Sequence, residues 1–166
     1  MKYLHFTCSC RLVSTLSGSP LPVAMHARGV RIENGRVTFT VDHEFEVSLT
    51  LLGDSPAIPW RLLKVKILVH DKETGEGKSL MHPMQVGYVQ QLVQAHLMES
   101  PKPLHQMYRV LHSLCQSLQL EVLYTQTHKL IRERLGDHVR VEEYMHGVCL
   151  TVSYWRDLLM PPGNNL

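Results

Sequence analysis

The residues from Gly75 to Ser79 read Gly-Glu-Gly-Lys-Ser, the kind of loop that could hold phosphate groups. The phosphate-binding loop of nucleotide hydrolases also needs a glycine five positions before the glycine that precedes the lysine, because its backbone must bend around the phosphates. That position is Lys72 here, and the loop does not open directly into a helix. We therefore expect an exposed connection between a strand and a helix, without a nucleotide site.

The cysteines and histidines could serve as metal ligands or, for cysteine, form disulfides. Cys8 and Cys10 are two residues apart, whereas Cys115 and Cys149 stand alone in apolar periodic segments. This spacing favours free thiols over a disulfide framework, with a soft-metal site at Cys8 and Cys10 as a weak alternative. None of the eleven histidines lies in a His-Glu-x-x-His arrangement. We expect no metal site.

Signals for enzymatic catalysis are also weak. The sequence has no Gly-x-Ser-x-Gly elbow, and Glu142 and Glu143 are neighbours on a predicted strand, so their side chains point to opposite faces. Trp60 and Trp155 are candidates for core packing or for an interface, since tryptophan is usually largely buried. The prediction is a protein that is not an enzyme.

Composition indicates how the chain is organised. Its 166 residues, 44% hydrophobic and 19% charged, fit one globular domain, and a net charge of +2 without a basic cluster disfavours nucleic-acid binding. No apolar run approaches the roughly 20 residues that cross a bilayer, and no cleaved signal peptide is expected. We predict a disordered segment over residues 1–25, a single module over 26–158 and a frayed tail over 159–166.

Apolar residues alternate with polar ones on both sides of Asn34-Gly35, a dipeptide typical of a two-residue hairpin turn. This turn pairs Ile32 with Val37. It also brings Glu33 beside Arg36, where opposite charges attract.

A second hairpin is predicted between the strand that begins at Phe45 and the strand over 60–69. The expected register pairs Phe45 with Ile67, Val47 with Val65, Leu49 with Leu63, and Glu46 with Lys66. The opposite, solvated face then carries Glu44, Glu46, Ser48 and Thr50.

The remaining chain predicts two helices and a closing hairpin. Apolar residues at helical spacing indicate a helix from Pro83 to about Glu99 and a longer one from about Leu104 to Leu135, stopped by Gly136. The segment 118–123 is apolar on several sides and is expected to be buried. Alternation then returns on both sides of a turn near His146-Gly147. The prediction is an α+β fold with an antiparallel sheet of about four strands, and with the helices packed on one sheet face.

Two long strings, Asn34 to His82 and Leu111 to Val141, resemble the Mediator complex subunit 14 family. The resemblance covers roughly residues 30–155, whereas residues 1–25 do not resemble the segment that precedes this region in the family. Family members are several times longer. The resemblance implies a non-enzymatic scaffold of the RNA polymerase II coactivator in the nucleus, without a cofactor. The implied partners are other Mediator subunits of the head, middle and tail modules and, indirectly, RNA polymerase II and activators.

The residues themselves favour a binding role. We expect protein contacts at Trp60, Lys64, Lys66 and Trp155, because the polar face and the edges of the sheet, together with exposed parts of the helices, can contact neighbouring subunits. The alternative function is a small apolar-ligand-binding α+β domain, since a long helix lying across a sheet can enclose a pocket.

Overall fold

The computed structural model of the chain describes residues 29–53, 58–75 and 79–155. The predictions of disorder over 1–25 and of a frayed tail over 159–166 concern residues outside these ranges. The described residues belong to two compact units. Unit 1 takes the described parts of Met1–Val69 and Met81–Cys115, and unit 2 takes those of His70–Leu80 and Gln116–Leu166.

Six strands and two long helices follow one another along the described chain, and the predicted α+β class is confirmed. In order, they are β1 (Val30–Glu33), β2 (Arg36–Val41), β3 (Phe45–Thr50), β4 (Arg61–Ile67), α1 (Pro83–Glu99), α2 (Pro103–Leu130), β5 (Val139–Met145) and β6 (Cys149–Tyr154). Strands β1 to β4 form one antiparallel sheet in chain order, and β5 and β6 form a separate two-stranded sheet.

The turn between β1 and β2 has the predicted geometry. Asn34 and Gly35 both adopt positive φ angles, 51° and 69°, as a two-residue turn of this hand requires. Ile32 pairs with Val37, and Glu33 pairs with Arg36 across the strands, although the ion pair of Glu33 is with Arg31 at 3.9 Å. The predicted register of this hairpin is confirmed.

The pairing of β3 with β4 confirms three predicted pairs and corrects the fourth. Phe45 lies opposite Ile67, Val47 opposite Val65 and Glu46 opposite Lys66, but Leu49 lies opposite Leu62 instead of Leu63. A β-bulge causes this shift, because it places an extra residue in β4. Leu63 is consequently exposed.

The face predicted to be solvated is more buried than expected. Ser48 is buried, and its hydroxyl lies 3.0 Å from that of Thr38 on β2. Glu44 precedes β3 and is half-buried by contacts within unit 1, so its placement on the wet face was wrong. Alternation alone could not show this, because β2 covers one side of β3 and a helix contacts Glu44.

Helix α1 begins where the sequence predicts. Nδ1 of His82 accepts from the amide of Met84 at 3.3 Å, and Oε1 of Gln85 accepts from the amide of His82 at 2.8 Å. Pro83 occupies the first turn, where a missing N–H costs nothing. These contacts fix the helix start, while the buried side chains of Val89, Val93 and Leu97 attach α1 to unit 1.

The helical segment that begins with α2 reaches Leu135, as predicted, but its second half is less buried than expected. Helix α2 itself ends at Leu130 and continues as one π-helical turn over Ile131–Leu135, and Gly136 that follows has a right-handed φ of −55°. Burial of the segment 118–123 was wrong: Leu123 is 54% exposed, and the rest of this segment is only half-buried. In α2 the fully buried side chains stop at Cys115.

The core of unit 1 is formed by the inner face of the sheet together with α1 and the first half of α2. Its largest fully buried side chains are Phe39, Phe45, Leu49, Met107, Leu111, Val37, Val47, Val93 and Cys115. Each Å² of apolar surface that this packing removes from water stabilises the fold by about 25 cal/mol, so the packing holds the sheet and the helices together. Every fully buried apolar side chain that the structure describes belongs to unit 1.

The closing hairpin of unit 2 has the predicted turn. β5 and β6 are joined through His146, Gly147 and Val148, and Gly147 adopts a φ of +68°. A Cβ atom at Gly147 would lie 3.1 Å from Oγ of Ser117, so both conformation and space favour glycine. The sequence pattern predicts that the alternation of the last strand begins at Val148, but this residue lies in the turn and β6 begins at Cys149.

Candidate protein-interaction surfaces

The outer face of the four-stranded sheet carries two of the predicted interface residues. Lys64 and Lys66 are exposed and lie opposite Ser48 and Glu46. A shallow depression of about 310 Å³ on this face is lined by Arg31, Glu33, Asn34, Arg36, Thr38, Glu46, Ser48 and Lys64. Charges of both signs alternate there, which suits contacts with a polar protein surface.

Trp60, the third predicted residue, lies just before β4 and is only 5% exposed. Its backbone carbonyl accepts a hydrogen bond of 3.2 Å from Nε2 of Gln94 on α1. Oε1 of the same glutamine accepts a hydrogen bond of 2.8 Å from the backbone amide of Leu62. The indole therefore packs in the interior of unit 1, while its backbone lies beside an open groove. This groove of about 730 Å³ runs between the start of β4 and α1.

A polar cluster in unit 1 was not foreseen from the sequence. Oε2 of Glu44 lies 2.7 Å from Nδ1 of His112, whose ring stacks on Tyr108 at a centroid distance of 5.1 Å. Sγ of Cys115 donates to the backbone carbonyl of Glu44 at 3.2 Å. The spacing of His112 and Cys115, three residues apart, places both near one helical face, but nothing in the sequence pointed to Glu44 as their partner.

The thiol of Cys115 has low nucleophilic reactivity in this cluster. Burial, together with the negative charge of Glu44, raises the pKa of its thiol to about 12. The thiolate is the nucleophilic form, and little of it exists at neutral pH. The residue therefore packs and hydrogen-bonds without the reactivity of a catalytic cysteine.

The suspected phosphate loop is anchored by an aspartate. The carboxylate of Asp71 in unit 2 accepts from the amides of Glu73 at 3.0 Å and Thr74 at 2.9 Å, from the Thr74 hydroxyl, and from Nε2 of Gln126 at 3.0 Å. Burial alone would raise the pKa of Asp71, but these hydrogen bonds, led by that from Thr74, bring it below its ordinary value of 3.8. Residues 76–78 of the suspected loop lie outside the described ranges.

Tyr144 fastens the hairpin of unit 2 to α2. Its ring stacks on Tyr124 at a centroid distance of 3.9 Å, and its hydroxyl donates to the carboxylate of Glu121. Nδ1 of His146 lies beside the same carboxylate. The hydrogen bond to Glu121 is the main cause that raises the pKa of Tyr144 to about 12.

The hairpin of unit 2 exposes large apolar side chains. Trp155, the fourth predicted residue, is 74% exposed with its ring 5.7 Å from that of His138, and Val148 is 71% exposed. Together with Met145 and Tyr154, these two residues make what we call the hairpin surface. Met145 and Val148 flank the turn, whereas Tyr154 and Trp155 lie at the open end of the hairpin. Exposed apolar side chains at both ends offer contacts to another polypeptide.

The described residues hold no group of three or more His, Cys, Asp or Glu side chains that could bind a metal. Within the same ranges, no helix combines the length and hydropathy needed to cross a membrane. Cys8 and Cys10 lie outside the described residues. Of the four predicted interface residues, Trp60, Lys64 and Lys66 belong to unit 1 and Trp155 to unit 2.

Two family models match different parts of the chain. The model described as "Mediator complex subunit MED14" matches residues 1–53. The model described as "Mediator of RNA polymerase II transcription subunit 14, RM2" matches residues 131–162, which include the hairpin of unit 2. The first three strands of the sheet and the closing hairpin are thus matched by separate models, and the first of these models also matches residues 1–25.

Curated relatives named Mediator of RNA polymerase II transcription subunit 14 are similar over most of the chain. The protein of Aedes aegypti is 60% identical over 143 residues, 86% of this chain and 9% of the relative. The protein of Drosophila melanogaster is 59% identical over 152 residues, which are 91% of this chain and 10% of the relative. The protein of Homo sapiens is 56% identical over 129 residues, which are 78% of this chain and 9% of the relative. The chain spans about a tenth of the length of these relatives.

Proposed function

The chain belongs to the Mediator subunit 14 family, and from this premise we propose that it is a non-enzymatic scaffold module of the Mediator complex. In this role it supports RNA polymerase II transcription in the nucleus. Membership of this complex is proposed because relatives that are 56 to 60% identical over most of this chain are named as subunits of Mediator. The scaffold role is proposed because the surfaces described above suit protein contacts and carry few reactive groups.

The hairpin surface is the observation that carries the scaffold role. The described part of unit 2 contains none of the fully buried apolar side chains, whereas Val148, Tyr154 and Trp155 are each more than two-thirds exposed. A two-stranded hairpin is only marginally stable by itself in water. Contact with another polypeptide would remove these apolar groups from water and stabilise the hairpin at the same time.

The proposed partners are other Mediator subunits of the head, middle and tail modules. RNA polymerase II and activators are reached indirectly, through the assembled complex. The contact region falls within residues 26–158, which we treat as one scaffold module. Trp155 and the hairpin surface provide apolar contacts, and Lys64 and Lys66 provide exposed positive charge.

The absence of catalysis in this proposal is supported by how the reactive groups are used. The Asp71 carboxylate is occupied by hydrogen bonds from its own loop and from Gln126. The raised pKa of Cys115, about 12, keeps this thiol protonated. These groups stabilise the protein, so no reaction and no cofactor is assigned to it.

Co-purification tests the proposal. An affinity-tagged chain incubated in nuclear extract is expected to retain Mediator subunits, identified by mass spectrometry. The double variant Val148→Ser/Trp155→Ser should lose most of this retention, while Tyr88→Ser, which alters a similarly exposed residue of unit 1, should keep it. Failure of the unaltered chain to retain any Mediator subunit would contradict the proposal.

A further inference from the structure

The groove of unit 1 has the properties of a peptide site. It measures about 730 Å³, within the usual range for ligand sites, and lies between the start of β4 and one face of α1. Two apolar residues that line it, Leu52 and Met98, are 67% and 62% exposed. Exposed apolar side chains on both sides of a groove can enclose an apolar side chain that enters from solution.

The helix face of the groove already binds extended backbone. Gln94 accepts from the amide of Leu62 and donates to the carbonyl of Trp60, so its amide takes the place that a neighbouring strand would have at β4. Gln90 and Gln91 lie one turn earlier and also line the groove. Their side chains make no hydrogen bond with the described residues, so two more amides remain to donate to and accept from a peptide backbone.

Charge selects the kind of peptide. Arg61 is the one charged residue among the described residues that line the groove, and its exposed guanidinium forms no ion pair with them. A carboxylate next to the apolar anchor is therefore attracted, whereas a lysine is repelled.

From these contacts we propose that the groove binds an extended segment of another polypeptide, with a large apolar side chain between Leu52 and Met98 and a carboxylate beside Arg61. Gln90 and Gln91 bond to the backbone of this segment. The inference rests on the proposed scaffold function and names the chemistry of one partner segment. A small apolar ligand would leave both glutamine amides and Arg61 unused.

The test uses the complete 166-residue chain and three fluorescein-labelled eight-residue peptides. The first alternates glutamate and leucine, the second lysine and leucine, and the third glutamate and serine. Fluorescence anisotropy should show that the glutamate and leucine peptide binds up to about fivefold more tightly than the lysine and leucine peptide, as expected for an exposed ion pair. It should also bind more tightly than the glutamate and serine peptide, which lacks the apolar anchor. In backbone NMR spectra, the amides of Leu52, Gln91 and Met98 should shift on binding.

The variant Arg61→Glu distinguishes binding in this groove from nonspecific binding of the peptides elsewhere on the protein. This variant should reverse the preference between the two leucine-containing peptides, so that the lysine peptide binds more tightly than the glutamate peptide. Arg109→Glu, at an exposed position of α2, is the control and should leave the preference unchanged. Equal binding of all three peptides, no binding, or NMR shifts confined to the hairpin would each overturn the inference. The proposed scaffold function fails separately, when the unaltered chain retains no Mediator subunit.

Discussion

Oε1 of Gln94 on α1 accepts a hydrogen bond of 2.8 Å from the backbone amide of Leu62 on β4. The two residues are 32 positions apart, so this bond fixes the helix to the outer strand of the sheet. An outer strand has unpaired backbone groups that can recruit other chains, and covering them is a common protection. The same contact shapes the groove in which we place a partner peptide.

Gln94→Ala should lower the free energy of unfolding by about 1 to 2 kcal/mol, because the backbone groups of Trp60 and Leu62 lose their partner. Urea unfolding measures the change, and faster hydrogen exchange at Leu62 locates it. Gln91→Ala is the matched control, since it makes the same substitution at an exposed position of α1. Equal losses in both variants would show that the strand contact is not the cause.

Asp71→Asn should destabilise the protein by about 1 to 3 kcal/mol. The amide oxygen can still accept the bonds made to Oδ1, but without the negative charge that strengthens them, and the NH₂ group in place of Oδ2 cannot accept the bond from the Thr74 hydroxyl. The lowered pKa also sets a pH dependence. Asp71 stabilises the fold above its ordinary pKa of 3.8, and this stabilisation disappears as the pH falls through the lower, folded-state pKa.

Urea unfolding at several pH values between about 2 and 7 measures this dependence, a range that covers ordinary carboxyl titration. Asp71→Asn should flatten the acid limb of the stability curve. Asp137→Asn, at an exposed position of the same unit, should leave it unchanged. Identical acid limbs for the two variants would rule out the role assigned to Asp71.

Thiol alkylation should distinguish the two described cysteines. With a pKa of about 12 and full burial, Cys115 should stay unmodified by iodoacetamide at pH 8, whereas half-buried Cys149 should react. Mass spectrometry of proteolytic peptides assigns each site. Denaturation in urea is the control and should expose Cys115, while rapid labelling of Cys115 in the native protein would contradict its burial.

Tyr144 should ionise about two pH units later than an ordinary tyrosine, at a pKa of about 12 instead of 10.0. Because the folded-state pKa is the higher one, its contribution to stability is complete below pH 10 and is lost as the pH rises toward 12. Absorbance at phenolate wavelengths during alkaline titration measures the pKa. Tyr144→Phe identifies this step by removing it, and Glu121→Gln should bring it to lower pH.

The sequence predicted elements that depend on local patterns. Asn34-Gly35 fixed a two-residue turn, and the match of Glu46 with Lys66 identified the main register of β3 and β4. The β-bulge escaped prediction because Leu62 and Leu63 are the same residue type, and alternation cannot tell which of them faces inward. Only the tertiary structure decides such a choice.

Contacts between distant residues were beyond reach of sequence patterns. Asp71 meets Gln126 across 55 positions, and Glu44 meets His112 across 68. Glu44 was predicted on the solvated face and nothing in the sequence marked Asp71, since their partners lie on a helix that follows much later in the chain. Trp60 and Trp155 share a residue type but not an environment, one buried and the other exposed, because burial depends on what packs around each.

Crosslinking from position 148 tests most directly whether the hairpin surface lies against other Mediator subunits. The chain with the photoreactive residue p-benzoylphenylalanine in place of Val148 is added to nuclear extract and irradiated, with the same residue at exposed Arg109 as the control. We predict crosslinks to Mediator subunits from position 148 and few or none from position 109. Crosslinks from neither position, or equal yields from both, would contradict a scaffold that docks through this hairpin.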